Sequence, residues 1–232
     1  MNDIWPPDYH LRISQKAKRI NLRLCPKKGL EIVIPSNGTE KAALAFLNSK
    51  RAWFLKHAHI LNKISSTKIL PQQIILKALD QTWQIRYEKV ANSRQVKLIK
   101  LPQELAVYGP IDNYDLCITK IKLWLQVQSE KYLYLWLNKI SQHMQLPFNN
   151  LSVRNQKTRW GSCNNKKNIN LNYKLLFLPY TLVEYVMIHE LCHTIHMNHS
   201  EKFWQLVANY YPNYLEARSE IIRESKLIPD WV

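Results

Sequence analysis

Four of the chain's eight histidines fall within eleven residues, His189-Glu190-Leu191-Cys192-His193-Thr194-Ile195-His196-Met197-Asn198-His199. On a helix, His189 and His193 lie one turn apart on the same face, close enough for both imidazoles to hold one cation. Glu190, rotated around the axis, can take a proton from a water polarised by that cation. Zinc in a hydrolytic site takes three protein ligands and keeps one position open, so the spacing calls for a third ligand. His199 can supply it only if the chain reverses after His193, because a continuing helix would carry it about 9 Å further along the axis and onto another face. Asn198 is the expected left-handed residue of that reversal, since the window contains neither Gly nor Pro. His196 is the rival third ligand, and otherwise a group that supports a ligand or faces substrate. The competing reading is a structural zinc site, although such sites are usually rich in Cys and closed by four protein ligands. Cys192 is expected to point into the core as a small hydrophobe.

Several elements must position these groups. Thr181 and Glu184 fit a capping box opening the helix that carries His189 and His193. Ser200 is expected to cap a following helix whose buried face is Phe203, Trp204, Leu206 and Val207. Upstream, Ser152 to Trp160 and Ile169 to Leu175 read as two strands joined by a Gly-, Ser- and Asn-rich connection, Gly161 to Asn168. Tyr114 to Met144 carries apolar residues at helical spacing, as one long helix or two abutting ones, and Pro147 closes it. In the first half, Ile20, Leu22 and Leu24 alternate with polar residues, Lys27-Lys28-Gly29 turns the chain, and Leu30, Ile32 and Ile34 resume the alternation, which is a hairpin pattern. A helix over Thr39 to Ile64 follows, capped by Thr39 and weakest at Asn48-Ser49. Strands return at Trp83 to Tyr87, Val96 to Leu101 and Leu105 to Tyr108, and the break at Gly109-Pro110 divides the chain into 1–110 and 111–232.

Composition excludes several classes. The chain has 232 residues with 46% hydrophobic residues, enough for one large or two small packed domains. Its four glycines, Gly29, Gly38, Gly109 and Gly161, are far apart, so it has neither a Rossmann fingerprint nor a P-loop. The four cysteines, Cys25, Cys117, Cys163 and Cys192, form no CxxC pair, and Met1 to Tyr9 lacks the apolar stretch of a signal peptide, so reduced thiols and a cytoplasmic location are expected. No apolar run approaches the length of a membrane span, and no membrane partner is expected. The formal charge is +16, with 33 Lys and Arg against 17 Asp and Glu. Acid-free basic windows run from Arg12 to Lys28 and from Lys131 to Lys174, and they suit nucleic acid or another polyanion, or else simply keep the protein dispersed.

Taken together, Lys18-Arg19-Ile20-Asn21-Leu22-Arg23-Leu24, Val33-Ile34-Pro35, Thr158-Arg159-Trp160-Gly161-Ser162-Cys163, Asn168-Ile169-Asn170-Leu171-Asn172, the HELCH run, Asn198-His199-Ser200 and Phe203-Trp204 resemble the YgjP-like metallopeptidases, relatives of the WLM and SprT groups of zincin-type proteases. The resemblance covers nearly the whole chain. It implies an α+β fold: a zincin-like catalytic domain with an HExxH helix beside a small β-sheet, preceded by a β-rich amino-terminal domain containing one long helix. It implies one Zn2+ per chain on His189, His193 and His199, with Glu190 as the catalytic general base, in agreement with the spacing. Metzincin-type proteases have Gly where this chain has His196, so their turn cannot be copied here. Ala78-Leu79-Asp80-Gln81 also departs from the family pattern, which has a glycine-containing turn there.

The expected activity is a zinc-dependent metallopeptidase acting on a peptide or protein substrate, which adds to the exposed edge of the 152–175 hairpin. Arg159, His196 and Tyr173 are candidate oxyanion donors. Two alternatives use the same centre. One is a metal-dependent hydrolase of a nucleotide or other phosphoanhydride, drawn by Arg154, Lys157, Arg159, Lys166 and Lys167. The other is a nucleic-acid-associated protease.

Overall fold

The computed structural model describes residues 5–25, 29–58 and 69–232. The chain divides into two compact units, Met1–Ile69 and Leu70–Val232. Both mix helix and strand, so the class is α+β, with six α-helices and three small sheets among the described residues.

In the first unit, strands β2 (Asn21–Cys25) and β3 (Gly29–Ile34) pair antiparallel, with Leu22 opposite Ile32 and Leu24 opposite Leu30, as the alternation requires. The Lys27-Lys28 part of the turn lies outside the described residues. Strand β1 (Tyr9–Ile13) pairs parallel with the other side of β3. Its Leu11 and Ile13 remain exposed, so it offered no buried alternation to read. Thr39 caps helix α1 (Glu40–Ser49), its hydroxyl accepting from the Ala42 N–H at 3.2 Å. The expected long helix breaks at Lys50 and restarts as α2 (Arg51–His57). The break lies at the weak point, where the Ser49 hydroxyl donates to the Phe46 carbonyl at 2.8 Å and so competes for the helical ladder. Residues 59–64 of the expected helix lie outside the described residues. Leu30, Ile32 and Ile34 pack against Ala43, Leu47 and Phe54 to form this unit's core.

The second unit begins with a four-stranded sheet in the order β4-β5-β7-β6: β4 (Gln73–Leu76), β5 (Gln81–Lys89), β6 (Lys97–Leu101) and β7 (Glu104–Gly109). Between β4 and β5 the chain turns with Asp80 left-handed at φ 49°, so a residue tolerant of that conformation fills the place where the family pattern has glycine. Helix α3 (Tyr114–Met144) is a single 31-residue helix, opened by Asn113 accepting from the Leu116 N–H and closed by left-handed Gln145. The sheet and α3 share one core, in which Trp83 meets Trp124 edge to face at 5.1 Å between ring centroids. This shared core separates the observed division, at 69/70, from the expected one at Gly109-Pro110. That dipeptide is a turn between two elements that bury the same apolar surface, and it does not act as a linker.

A third sheet leads to the histidines. Its order is β8-β10-β9, with β8 (Asn150–Arg154) parallel and β9 (Gly161–Cys163) antiparallel to the central β10 (Asn168–Asn172). This corrects the expected pair of long strands: 155–160 is a loop, and Gly161-Ser162-Cys163, expected in a connection, is an edge strand. The tight turn is Asn164 to Lys167, with the Asn164 side chain accepting from the Lys166 and Asn168 N–H groups and Lys167 left-handed. Buried Asn172 gathers the loop. Its amide donates to the carbonyls of Gln156 (2.8 Å) and Arg159 (3.0 Å), and its backbone N–H donates to Trp160 at 2.8 Å. Helices α4 (Tyr180–Cys192), α5 (Glu201–Tyr210) and α6 (Tyr214–Ser225) complete the unit. Pro179 occupies the N-cap of α4 and its carbonyl accepts from Leu182 and Val183, so Thr181 lies inside the first turn and forms no capping box. No helix among the described residues is long and apolar enough to cross a membrane.

Asn172→Ala removes both loop-gathering amide bonds and leaves a buried void. A loss of about 2 kcal/mol is expected, or a fall of roughly 4–8 °C in Tm for a chain of this size, read by thermal denaturation.

Candidate metal centre

Helix α4 is buried over most of its surface, with Leu182, Val183, Val186, Met187, Leu191 and Cys192 all in the core. A helix packed on several sides cannot rotate, so the polar residues on its last turns are held where the packing puts them. Cys192 points into the core as expected, and burial pushes its thiol up to about 12.

After His193 the chain reverses through a tightened turn. The Thr194 N–H donates to Leu191, and the N–H groups of Ile195 and His196 both donate to Cys192. Asn198 is not left-handed, which corrects that expectation. Converging bonds on the last helical carbonyls reverse the chain without a positive φ. Ser200 stands at the N-cap of α5 in extended conformation, but its hydroxyl makes no capping bond.

The reversal brings His199 back to the first two histidines. One ligand atom from each of His189, His193 and His199 lies within 4.8 Å of the other two, and the Nε2 atoms of His189 and His199 are 3.1 Å apart. Three imidazoles at this separation can hold one ion at ordinary zinc–nitrogen distances of about 2.0–2.1 Å. His193 Nδ1 lies 2.9 Å from the His196 carbonyl oxygen, which can only accept. Nδ1 therefore carries the proton, and Nε2 keeps a lone pair for an ion. Burial, reinforced by His193 and then His199, lowers His189 to about 3, and burial also lowers His193. Both are neutral at physiological pH, as metal ligands must be. His196 is outside the ligand group and contributes its backbone carbonyl.

An aromatic wall backs the ligands. Phe203 stacks on His193 at 4.4 Å, and Trp204 stacks on His199 at 5.4 Å. Behind Trp204 lie Tyr214 at 5.3 Å and the Arg218 guanidinium 4.6 Å from its ring. Trp204, read from sequence as a core residue, is therefore half-buried and braces the exposed ligand His199.

Glu190 is 5% exposed, and its Oε2 is buried without a partner. Desolvation raises its carboxyl to about 8, against the opposing charge of Arg159. It rests directly on the backbone of β9: a Cβ on Gly161 would lie 2.6 Å from Glu190 Oε1 and 2.7 Å from its Cγ. Sequence reasoning read the Trp160 to Cys163 segment as a structural turn first and a cleft wall second, and its residues line both cavities. The signal available was a glycine in a strand-like stretch of a glycine-poor chain, which marks close backbone approach. Two cavities meet at Glu190 and Gly161. One of about 390 Å³ opens on His193 and His199 beside Cys163 and Met197, and one of about 290 Å³ opens on His189, Tyr185 and Arg218.

Of the candidate oxyanion donors, Arg159 lines both cavities. Tyr173 does not: it is buried in the core, its carbonyl accepting from the Ser129 hydroxyl at 3.1 Å. The basic window also disperses. Lys157 lines a neighbouring cavity, Arg154 lines another beside Glu130 and Tyr134, and Lys166 and Lys167 sit in the β9–β10 turn.

A buried carboxyl group next to three convergent imidazoles is the equipment of a metal-dependent peptidase. The family described as YgjP-like, metallopeptidase domain, matches residues 18–224, and the chain belongs to it. Two solved structures align with 40% of this chain: the metallopeptidase zymogen of Pyrococcus abyssi abylysin, at 22% identity, 93% of that chain and TM-score 0.37, and that of Methanocaldococcus jannaschii jannalysin, at 24% identity, 88% of that chain and TM-score 0.36. No curated protein matches the chain.

Gly161→Ala is expected to fold normally but to push the Glu190 carboxylate away by about 1 Å, the shift that restores ordinary contact distance. A crystal structure of the variant checks this, and an unmoved carboxylate would refute the close-approach account.

Proposed function

We propose that the chain is a zinc-dependent metallopeptidase of zincin-like fold, with His189, His193 and His199 as metal ligands and Glu190 as general base. The observation that carries this reading is the convergence of one nitrogen each from His189, His193 and His199 within 4.8 Å, with Glu190 lining the cavity that opens on His193 and His199. The donor set suits zinc, which takes three imidazole nitrogens in hydrolytic sites. When bound, zinc supplies Lewis acidity, polarising a carbonyl and acidifying water.

The chain's own residues do the rest. Glu190 in its ionised form, which the charge of Arg159 favours against the rise to about 8 that burial causes, accepts a proton from the attacking water and passes it to the departing amine. The backbone of β9 orients the substrate. This strand is an edge of its sheet and carries Gly161 beside Glu190, so an extended peptide can pair with it and present its carbonyl at the centre. Arg159, lining both cavities, is placed to stabilise negative charge developing on that carbonyl oxygen. The His196 carbonyl keeps the His193 proton on Nδ1 throughout.

One equivalent of zinc is expected in the wild type and in Glu190→Gln, with peptide hydrolysis only in the wild type, reduced at least about a thousandfold in the variant. His199→Ala is expected to lose the metal. Metal analysis with a mixed panel of peptides and nucleotides decides the matter: turnover of nucleotides alone would replace the peptidase with a phosphoanhydride hydrolase, and no turnover with zinc retained would favour a structural centre.

We further place the chain in the cytoplasm and assign the exposed Lys16, Lys18, Arg19 and Arg23 to contact with a polyanion such as nucleic acid. Binding to a duplex oligonucleotide should weaken steeply with rising salt, and salt-insensitive or absent binding removes this assignment.

A further inference from the structure

The smaller cavity at Glu190 has a floor and a rim of different chemistry. Tyr185, Val186 and Ile221 are buried in its floor, whereas Arg159 and Arg218 approach from separate elements and are solvent-exposed. Glu190 is the one acid lining it. Among the described residues, neither guanidinium lies within ion-pair distance of a carboxylate. Arg159 borders both cavities, while Arg218 is held from behind by the face of Trp204 at 4.6 Å. The cavity therefore presents two guanidinium groups, of Arg159 and Arg218, above an apolar floor. Its volume of about 290 Å³ suits one medium-sized side chain.

We infer that this cavity receives an acidic side chain of the peptide substrate, so that the enzyme selects peptides bearing Glu or Asp next to the bond it cleaves. The inference rests on the peptidase reading above and adds a substrate class to it. The methylenes of a glutamate would lie on Val186, Ile221 and the Tyr185 ring, and its carboxylate would meet the fork of Arg218, which can donate two parallel hydrogen bonds. A lysine in the same place would meet two like charges, so the cavity also discriminates by repulsion. A peptide paired with β9 passes Gly161, which borders both cavities, so consecutive same-side residues fall one to each. Arg218 and Tyr185 are thus specificity residues and take no part in moving the proton.

The test uses full-length, zinc-loaded protein and one peptide scaffold carrying Glu, Ala or Lys at the positions flanking the scissile bond. Binding is read by fluorescence anisotropy on Glu190→Gln and cleavage on the wild type. The Glu peptide is expected to bind and to be cleaved roughly tenfold better than the Ala peptide, with Lys poorest. Arg218→Met should bring the Glu-to-Ala ratio to within about twofold, Arg218→Lys should keep most of it, and Arg218→Glu should invert the order in favour of Lys, a result that damage to the fold cannot produce. Zinc content of each variant accompanies the ratios. Equal treatment of the three peptides by the wild type, or a Glu preference that survives Arg218→Glu, overturns the inference and leaves the peptidase standing. Binding preference without cleavage of any peptide would instead remove the peptidase reading and keep the acid-binding cavity.

Discussion

The centre depends on a contact that only glycine permits: the Glu190 carboxylate lies where a side chain at residue 161 would begin. This close approach brings a sheet edge and the end of α4 together where the two cavities meet. A side chain there would displace the Glu190 carboxyl group, which forms the wall that the two cavities share. The loop before β9 is fixed for the same purpose. Asn172, on the central strand, holds residues 156–160 with its side chain and backbone, and so delivers Arg159 and Gly161 together to the end of the helix.

Placing polar groups in this position is costly, and the surroundings offset the cost in different ways. Glu190 loses water without gaining a hydrogen-bond partner at Oε2, which is what raises its carboxyl. The buried histidines respond in the opposite sense: desolvation keeps them neutral, with lone pairs available. Precision comes from packing. His193 lies on Phe203 and is tied to a backbone carbonyl, and exposed His199 lies on Trp204, which itself packs against Tyr214 and Arg218. The last helices, α5 and α6, thus act as the rear support of the metal centre.

Charge is distributed more selectively than the net +16 suggests. Most of the basic residues in the 131–174 window spread over turns and outer surfaces, and Arg159 alone of the five sequence candidates borders both cavities at Glu190. Arg218 comes from a helix outside that window and carries more weight in the cavity's chemistry than the window's lysines. Local geometry, and not the excess of cations along the chain, determines which charges act on a ligand.

Residue spacing alone pointed to His189, Glu190 and His193, because one helical turn separates the histidines whatever the rest of the chain does. The pattern also determined the β2–β3 hairpin, the whole of α3 and the weak point between α1 and α2, where local periodicity and capping suffice. It did not determine what depends on long-range packing. The division at 69/70 follows from a core shared by the β4–β7 sheet and α3, which no local break announces. The start of α4 at Pro179, the short edge strand at Gly161 and the parallel pairing of β8 with β10 were set by contacts distant in sequence. The route from His193 to His199 was expected through a left-handed Asn198, but converging hydrogen bonds to Leu191 and Cys192 make the turn. The tertiary structure alone converted Trp204 from a core residue into a brace, placed Tyr173 away from the cleft and brought Arg218 to it. Spacing determines which side chains share a helix face; packing between elements decides which of them share a cavity.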